Sequence, residues 1–352
     1  MKILFGVFDW GLGHATRDMV LIEELLSKKH SVDIISTGRA LKILKERFGK
    51  RCRYHNVPSI YQMYMKEKVS RLTFTTNVSS LLMTLNQARK ASEKIISKGN
   101  YDKVISDCRM DVYDTKENSY LINHQVRFKM YFPVEALVER VSSSIMKNYK
   151  YILVPDFEKR DLTGKLSHEL LYTEKKRIKY IGILSSIKKL NTKHDIDYFI
   201  SISGPEISRK ELEKKILNQV KNLKGSIVIA GGNPDDSSIK KLKNVKFYSY
   251  LDLKQQANIM NRSRFIIARG GYTTIMELVE LGKKNVLLIP SPGQTEQEYI
   301  AKYYEKNRYF HYVKQNKLDL KKDIAMSRHY KGYAPEWKTH ESVQKFMKLI
   351  GC

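Results

Sequence analysis

Short runs of apolar residues, each followed by a stretch with helical spacing, recur from one end of this chain to the other. That alternation constrains the fold more than any other feature. Ile3–Phe8 reads as a buried strand, Ala15–Ser27 carries Met19, Ile22, Leu25 and Leu26 at helical spacing, and Val32–Ser36 is a strand again. Val104–Ser106, Tyr120–Ile122 and Tyr151–Val154 continue the series. A strand that is apolar along its whole length is buried on both faces, and strands separated by helices pair in parallel. The polar stretch Ser185–Asp197 interrupts the pattern. It restarts with Phe199–Ile202, Ser226–Ala230, Lys246–Tyr248, Arg264–Ala268 and Asn285–Ile289, separated by helical segments such as Lys210–Asn222 and Thr273–Leu281. The expected architecture is two tandem, doubly wound α/β domains facing a cleft. They occupy residues 1–185 and 198–330, with a linker at 186–197 and a terminal segment, 331–352, whose helix Glu336–Ile350 packs back on the first domain. In such folds ligands bind beyond the carboxyl ends of the strands, so the cleft is the expected site.

The 352 residues suffice for two cores. With 42% hydrophobic and 29% charged residues the balance is that of an ordinary globular protein. No run approaches the ~20 apolar residues of a membrane-spanning helix. The N-terminus, MKILFGVFDWGLGH, has no cleavage signal of a secreted protein. Cys52, Cys108 and Cys352 form neither a disulfide framework nor a metal knuckle, which fits a reducing cytoplasm. Charge is the outlier: 64 Lys and Arg against 37 Asp and Glu give +27. Such an excess predicts attraction to polyanions, whether nucleic acid, anionic lipid or phosphorylated substrates. The segment Ile60–Gly99 concentrates it, interleaving Lys66, Lys68, Arg71, Arg89, Lys90, Lys94 and Lys98 with Tyr61, Met63, Tyr64, Met65, Leu72, Phe74, Leu81, Leu82 and Met83. A basic segment with an apolar face suits docking on an anionic membrane surface; it equally suits a core-facing helix with a solvated charged side.

Four motifs sit at strand ends. Gly11-Leu12-Gly13-His14 follows the first strand, with glycines for a tight turn and an imidazole at the start of a helix whose dipole favours its neutral, proton-accepting form. Arg269-Gly270-Gly271-Tyr272-Thr273 runs from a strand into a helix, the geometry of a phosphate cradle, and Glu277 lies about one and a half turns further on, placed for sugar hydroxyls. Pro290 to Tyr299 is a polar loop entering a helix, with Glu296 and Gln297 as candidate hydroxyl ligands. Ser203-Gly204-Pro205 closes the first strand of the second series and faces a diphosphate by position, whereas Gly231-Gly232-Asn233 reads as a turn.

Together these residues resemble nucleotide-sugar glycosyltransferases of the two-Rossmann-domain type, the GT-B fold. They are similar above all to the peptidoglycan-precursor N-acetylglucosaminyltransferases and UDP-glycosyltransferases, in an archaeal-type branch. The specific part is Arg264–Ala301, where a double glycine, a glutamate, a strand, a proline and an acidic-Gln pair occur in family order. The resemblance implies an acceptor-binding N-terminal and a donor-binding C-terminal domain. It implies that Glu277 holds the donor ribose, that Gly270, Gly271, Tyr272 and Thr273 face its phosphates, and that Gly204 does so from the neighbouring loop. Glu296 and Gln297 would read the transferred sugar, Leu251 would lie near the uracil, and the loop of Gly11 and Gly13 would present His14 as the base.

The expected reaction is therefore inverting, metal-independent transfer from a UDP-sugar to a hydroxyl acceptor. His14 removes the acceptor proton, Asp107 and His124 at later strand ends orient base or acceptor, and the Gly271 helix start with Arg269 stabilises the departing diphosphate. No metal and no resident cofactor are expected. The partners are a nucleotide sugar and a lipid-linked acceptor at the cytoplasmic face of a membrane. The rival readings are a nucleotide-sugar epimerase of similar architecture, a non-catalytic sugar-nucleotide sensor, and an RNA-binding or RNA-modifying protein; for the last, the charge argues in favour and the lack of an RNA-binding motif against.

Overall fold

A computed structural model of the chain describes residues 1–59, 78–116, 118–129, 134–159, 161–233 and 236–352. The polypeptide forms two compact units, one of residues 1–186 with 337–352, the other of residues 187–336. Each is built on a seven-stranded sheet.

In the first unit the strands are β1 (Lys2–Val7), β2 (Ser31–Ser36), β3 (Cys52–Asn56), β4 (Lys103–Asp107), β5 (Ser119–Ile122), β6 (Tyr151–Val154) and β7 (Ile178–Tyr180). They lie in the order β3-β2-β1-β4-β5-β6-β7, all pairs parallel. The helices are α1 (Gly13–Ser27), α2 (Gly38–Phe48), α3 (Val78–Gly99) and α4 (Val134–Met146). The order reverses between β1 and β4, where Val7 stands opposite Asp107. At such a switch point the two flanking loops diverge and leave a crevice. Helix α1 begins two residues before the expected Ala15, which brings His14 into its first turn; it buries Met19, Leu21, Ile22 and Leu25.

The second unit holds β8 (Ile196–Ser201), β9 (Ile227–Ala230), β10 (Ile239–Leu242), β11 (Val245–Tyr248), β12 (Ser263–Ala268), β13 (Val286–Leu288) and β14 (His311–Tyr312). Its helices are α5 (Glu206–Gln219), α6 (Leu253–Arg262), α7 (Tyr272–Leu281), α8 (Thr295–Lys306) and α9 (Leu320–Ser327). The order is β10-β11-β9-β8-β12-β13-β14, parallel except for the β10–β11 pair, with its switch between β8 and β12. Residues of the polar stretch 186–197 are held to this unit: the Leu190 amide donates to the Asn261 side chain at 2.8 Å, and Ile187 is buried.

The last helix, α10 (Thr339–Ile350), returns to the first unit, where it packs against α1. Trp337 anchors the return. Its ring meets Phe157 edge-on at 4.9 Å, and its indole N–H lies 3.3 Å from the Ile181 carbonyl. Gly182 makes the approach possible. It has φ +85°, and a Cβ there would stand 2.2 Å from the indole nitrogen. Gly182→Ala is expected to lower stability in urea unfolding by about 2 kcal/mol or more, since backbone strain and overpacking add at one residue.

Residues 60–77 of the basic segment lie outside the described residues. In the last turns of α3, Ala88, Ser92 and Ile96 are buried, with Ile96 packed beside Tyr101 and Val104, and Lys90, Lys94 and Lys98 are exposed. That part of the segment turns its apolar face to the unit's own core. No described helix is long and apolar enough to cross a membrane.

Candidate active site

At the switch point of the first unit four side chains converge. His14 enters from α1, Asp107 is the last residue of β4, His124 follows β5, and Arg17 lies one turn after His14. His14 Nδ1 is 3.0 Å from Asp107 Oδ2. Arg17 Nε donates to the same oxygen at 2.9 Å, while its Nη2 donates to Asp107 Oδ1. The other terminal nitrogen of Arg17 is 3.0 Å from His124 Nδ1. Asp107 and Arg17 are fully enclosed, but the His14 side chain keeps 15% of its surface open, and its Nε2 has no hydrogen-bond partner among the described residues. Burial lowers the His14 pKa; Asp107 opposes that and Arg17 adds to it, leaving the ring below the usual histidine value and neutral near pH 7. Burial works to raise the Asp107 carboxyl, but Arg17 and His14 overcome it and hold Asp107 ionised. With Nδ1–H donated to Asp107, the accessible Nε2 carries the lone pair, the tautomer a general base requires.

Ligand atoms of His14, Asp107 and Cys108 lie within 4.8 Å of one another, close enough to hold a metal ion. Arg17 Nη2 already stands among them, bonded to Asp107, 3.0 Å from His14 Nδ1 and 3.8 Å from Cys108 Sγ. The guanidinium supplies the positive charge that such a ligand set would seek. Burial raises the Cys108 thiol well above its usual value, away from the thiolate a metal would bind.

The switch point of the second unit brings three loops together. Gly204 follows β8 with φ +103°, Gly270 and Gly271 follow β12, and Ser291 to Gln297 follow β13. A Cβ on Gly204 would stand 2.9 Å from the Ser291 hydroxyl, which is buried and unpartnered. Helix α7 starts at Tyr272 with Gly271 as its cap residue and no side-chain cap, and the positive end of its dipole lies at that turn. Glu277 lies on that helix, 3% exposed, and its carboxylate has no hydrogen-bond or ion-pair partner among the described residues. Burial pushes its pKa up to about 8.

Two of the candidate donor residues have partners within their own unit. Arg269 does not extend into open space. Its guanidinium is buried, and its N–H groups donate to the carbonyls of Ser203, Ile289 and Ser208 at 3.0, 3.2 and 3.1 Å. It ties the loops of β8 and β13 to the start of α5, and burial alone lowers its pKa to about 10. Gln297 is likewise engaged: its Oε1 accepts from the Ser291 amide at 3.0 Å, its Nε2 donates to Gln294, and it packs against Gly270. Both shape the loops. Glu296 lies half-buried in the first turn of α8, Thr273 is half-buried at the start of α7, and Tyr272 is buried. Leu251, in the chain between β11 and α6, is buried. Gly11, with φ +68° and open space around it, shapes the turn before α1, and Gly13 opens that helix.

Residues 1–125 match the family described as Glycosyl transferase family 1, and residues 183–350 match the Glycosyltransferase family 28 C-terminal domain. The chain is a glycosyltransferase of the GT-B fold. It is 26% identical over 340 residues to an uncharacterized glycosyltransferase of Methanosarcina mazei, covering 88% of this chain and 84% of the relative. It is 24% identical over 326 residues to the UDP-N-acetylglucosamine–N-acetylmuramyl-(pentapeptide) pyrophosphoryl-undecaprenol N-acetylglucosamine transferase of Clostridium perfringens, covering 87% and 84%. The crystal structure of the glycosyltransferase SnogD from Streptomyces nogalater shares the fold, with a TM-score of 0.65 at 12% identity over 99% of this chain and 100% of that one.

Sequence reasoning about this glycosyltransferase missed Arg17, Asp18 and Ser291. Arg17 and Asp18 lie on a helix face that reads as ordinary amphipathic surface, yet they are 1% and 0% exposed. The available signal was spacing: Arg17 stands at i+3 from His14, a neighbour on the same face.

Proposed function

We propose that this glycosyltransferase moves a sugar from a UDP-sugar to a hydroxyl of a lipid-linked or membrane-associated acceptor, with inversion at the anomeric carbon and without a metal ion. The observation that carries this reading is the His14 ring, neutral, fixed at Nδ1 by Asp107 and open at Nε2. The acceptor O–H gives its proton to Nε2 as its oxygen bonds to the anomeric carbon. The bond from that carbon to the phosphate oxygen breaks, and its electron pair leaves with the nucleoside diphosphate. A single displacement by an oxygen nucleophile inverts the centre, through an oxocarbenium-like transition state. The charge growing on the diphosphate meets the start of α7, whose dipole does the work a divalent cation does elsewhere. Glu277 accepts hydrogen bonds from the ribose hydroxyls. His124 stands beside His14, its ring centre 6.0 Å away, and Asp107 fixes the His14 tautomer.

A membrane-associated acceptor is supported by one described surface. Leu137 and Val141 on α4 are 63% and 48% exposed, and Leu171 and Tyr172 are 57% and 46% exposed. Glu139 ties the two segments by accepting from both the Leu171 and Tyr172 amides, at 2.6 and 2.9 Å. Exposed Arg140, Lys147, Lys175 and Lys176 are close by in sequence, the combination that suits anionic lipid headgroups.

The test is transfer from a panel of UDP-sugars to polyprenyl-linked acceptors in the presence of EDTA, with the product's anomeric configuration read by NMR. A β-linked product from an α-linked donor, formed at an unchanged rate in EDTA, is expected. A retained configuration, or activity restored only by a divalent cation, overturns the mechanism. Conversion of the donor alone into an isomeric UDP-sugar establishes an epimerase instead.

A further inference from the structure

His14 and Asp107 would make a sufficient pair for proton abstraction, yet a third charged group is built between them. Arg17 claims both oxygens of Asp107 while its Nη2 faces His14 Nδ1 at 3.0 Å and its Nη1 faces His124 Nδ1 at 3.0 Å. A guanidinium has donors only and keeps its proton, so an imidazole nitrogen bonded to it must be bare. His124 is thereby fixed with its proton on Nε2. His14 Nδ1 stands 3.0 Å from both Asp107 Oδ2 and Arg17 Nη2; the neutral ring gives its Nδ1 proton to Asp107, while Arg17 Nη2 donates to the other oxygen of that carboxylate. Arg17 thus competes with His14 for the carboxylate and shields the charge that would otherwise hold His14 as an imidazolium.

We propose that Arg17 is a positioning residue of this site: its fork fixes the Asp107 carboxylate beside His14 and weakens the pull of that carboxylate on the His14 proton, so that the ring is presented uncharged to the acceptor. The inference rests on the reading of His14 as the base. The charged and titratable described groups around His14 are Arg17 and Asp18 on its own helix, Asp107 and Cys108 at the end of β4, and His124 after β5. Asp18 is fully buried, neither of its oxygens has a hydrogen-bond partner among the described residues, and burial together with Asp107 raises its carboxyl well above the ordinary range. Arg17 is therefore the one buried cation set against Asp107 among these groups.

The decisive measurement is the titration of the His14 ring by 15N-resolved NMR in the wild type, Arg17→Met and Arg17→Lys, alongside the pH dependence of UDP-N-acetylglucosamine hydrolysis with water as acceptor. In Arg17→Met the His14 titration is expected to move up by about 1–2 pH units, as an unshielded carboxylate at hydrogen-bond distance dictates. In Arg17→Lys it moves up by about half a unit, because one ammonium cannot hold both oxygens and face Nδ1 as well. The acidic limb of the hydrolysis rate moves up with it. A merely structural clamp lowers the rate equally at every pH and leaves the titration in place, and that result overturns the proposal. If Arg17→Met does not fold, an unmoved titration in Arg17→Lys overturns it just as well. Should the ring titration move while the rate profile stays put, the placement of Arg17 stands and His14 is not the base.

Discussion

A His14→Ala variant turns over about 10²–10⁴-fold more slowly than the wild type while binding the nucleotide donor with unchanged affinity. The magnitude is that of a positioned general base. The separation of effects follows from the fold: His14 belongs to the first unit, in the first turn of α1, and the groups assigned to the donor belong to the second. The variant should fold normally, because the ring is partly open and its loss leaves Asp107 held on both oxygens by Arg17. Transfer rates at saturating donor, with UDP affinity measured by calorimetry, check both halves. Near-normal turnover removes His14 from the chemistry. The rate of the wild type should fall as pH drops below the His14 pKa, which burial places under the usual histidine value, so activity extends further into the acid range than an exposed histidine would allow.

Glu277→Ala shows the complementary pattern, an affinity for UDP-sugar lowered about 10–100-fold, as the loss of charge-assisted hydrogen bonds to two hydroxyls entails. A carboxylate 3% exposed with no described partner is costly to keep, and burial raises its pKa to about 8. Ribose hydroxyls supply the missing donors and favour the ionised form. Binding of UDP-N-acetylglucosamine, whose pyrophosphate diester does not titrate near neutrality, should therefore tighten between about pH 6 and 8 and level off above. In Glu277→Gln the affinity should be weak and flat with pH. The sign for stability is opposite. A carboxyl with a folded-state pKa above its unfolded value lends its stabilisation at low pH, and loses it as pH rises through about 8. Glu277→Gln is accordingly expected to melt higher than the wild type above pH 8, a difference that vanishes near pH 4. Unchanged nucleotide affinity in both variants contradicts the assignment of Glu277.

What the sequence conveyed and what it withheld divide along a physical line. The central strands β1, β2, β4, β5 and β6, and β8, β9, β12 and β13, announce themselves as largely apolar runs because both faces are covered, and β11 reads as a strand as well although its Lys246 is exposed. The four that sequence reasoning passed over, β3, β7, β10 and β14, are the four sheet edges. Their sequences, Cys52–Asn56 with Arg53 and His55, or Ile239–Leu242 with Lys240 and Lys241, carry the charges that edge strands use to discourage further pairing, and so resemble loops. Within the candidate site, positions were legible and engagements were not. Glycines at strand ends placed His14, Gly204 and Gly271 correctly in chain order. That Arg269 spends its donors on carbonyls, and Gln297 its amide on Ser291 and Gln294, depends on long-range loop contacts that no local spacing reveals. The buried Arg17–Asp107 pair spans 90 positions in the chain and was invisible for the same reason.

The return of α10 to the unit where the chain began has a consequence for biogenesis. Residues 337–352 are translated after the whole second unit, yet Ser342 and Phe346 are buried in the first unit and Trp337 packs on its Phe157 and Gly182. On the ribosome the middle of the protein can therefore mature before its beginning is finished. A nascent chain stalled short of Trp337 leaves Phe157 and Gly182 uncovered, so a truncated product should be a ready client for chaperones and proteases.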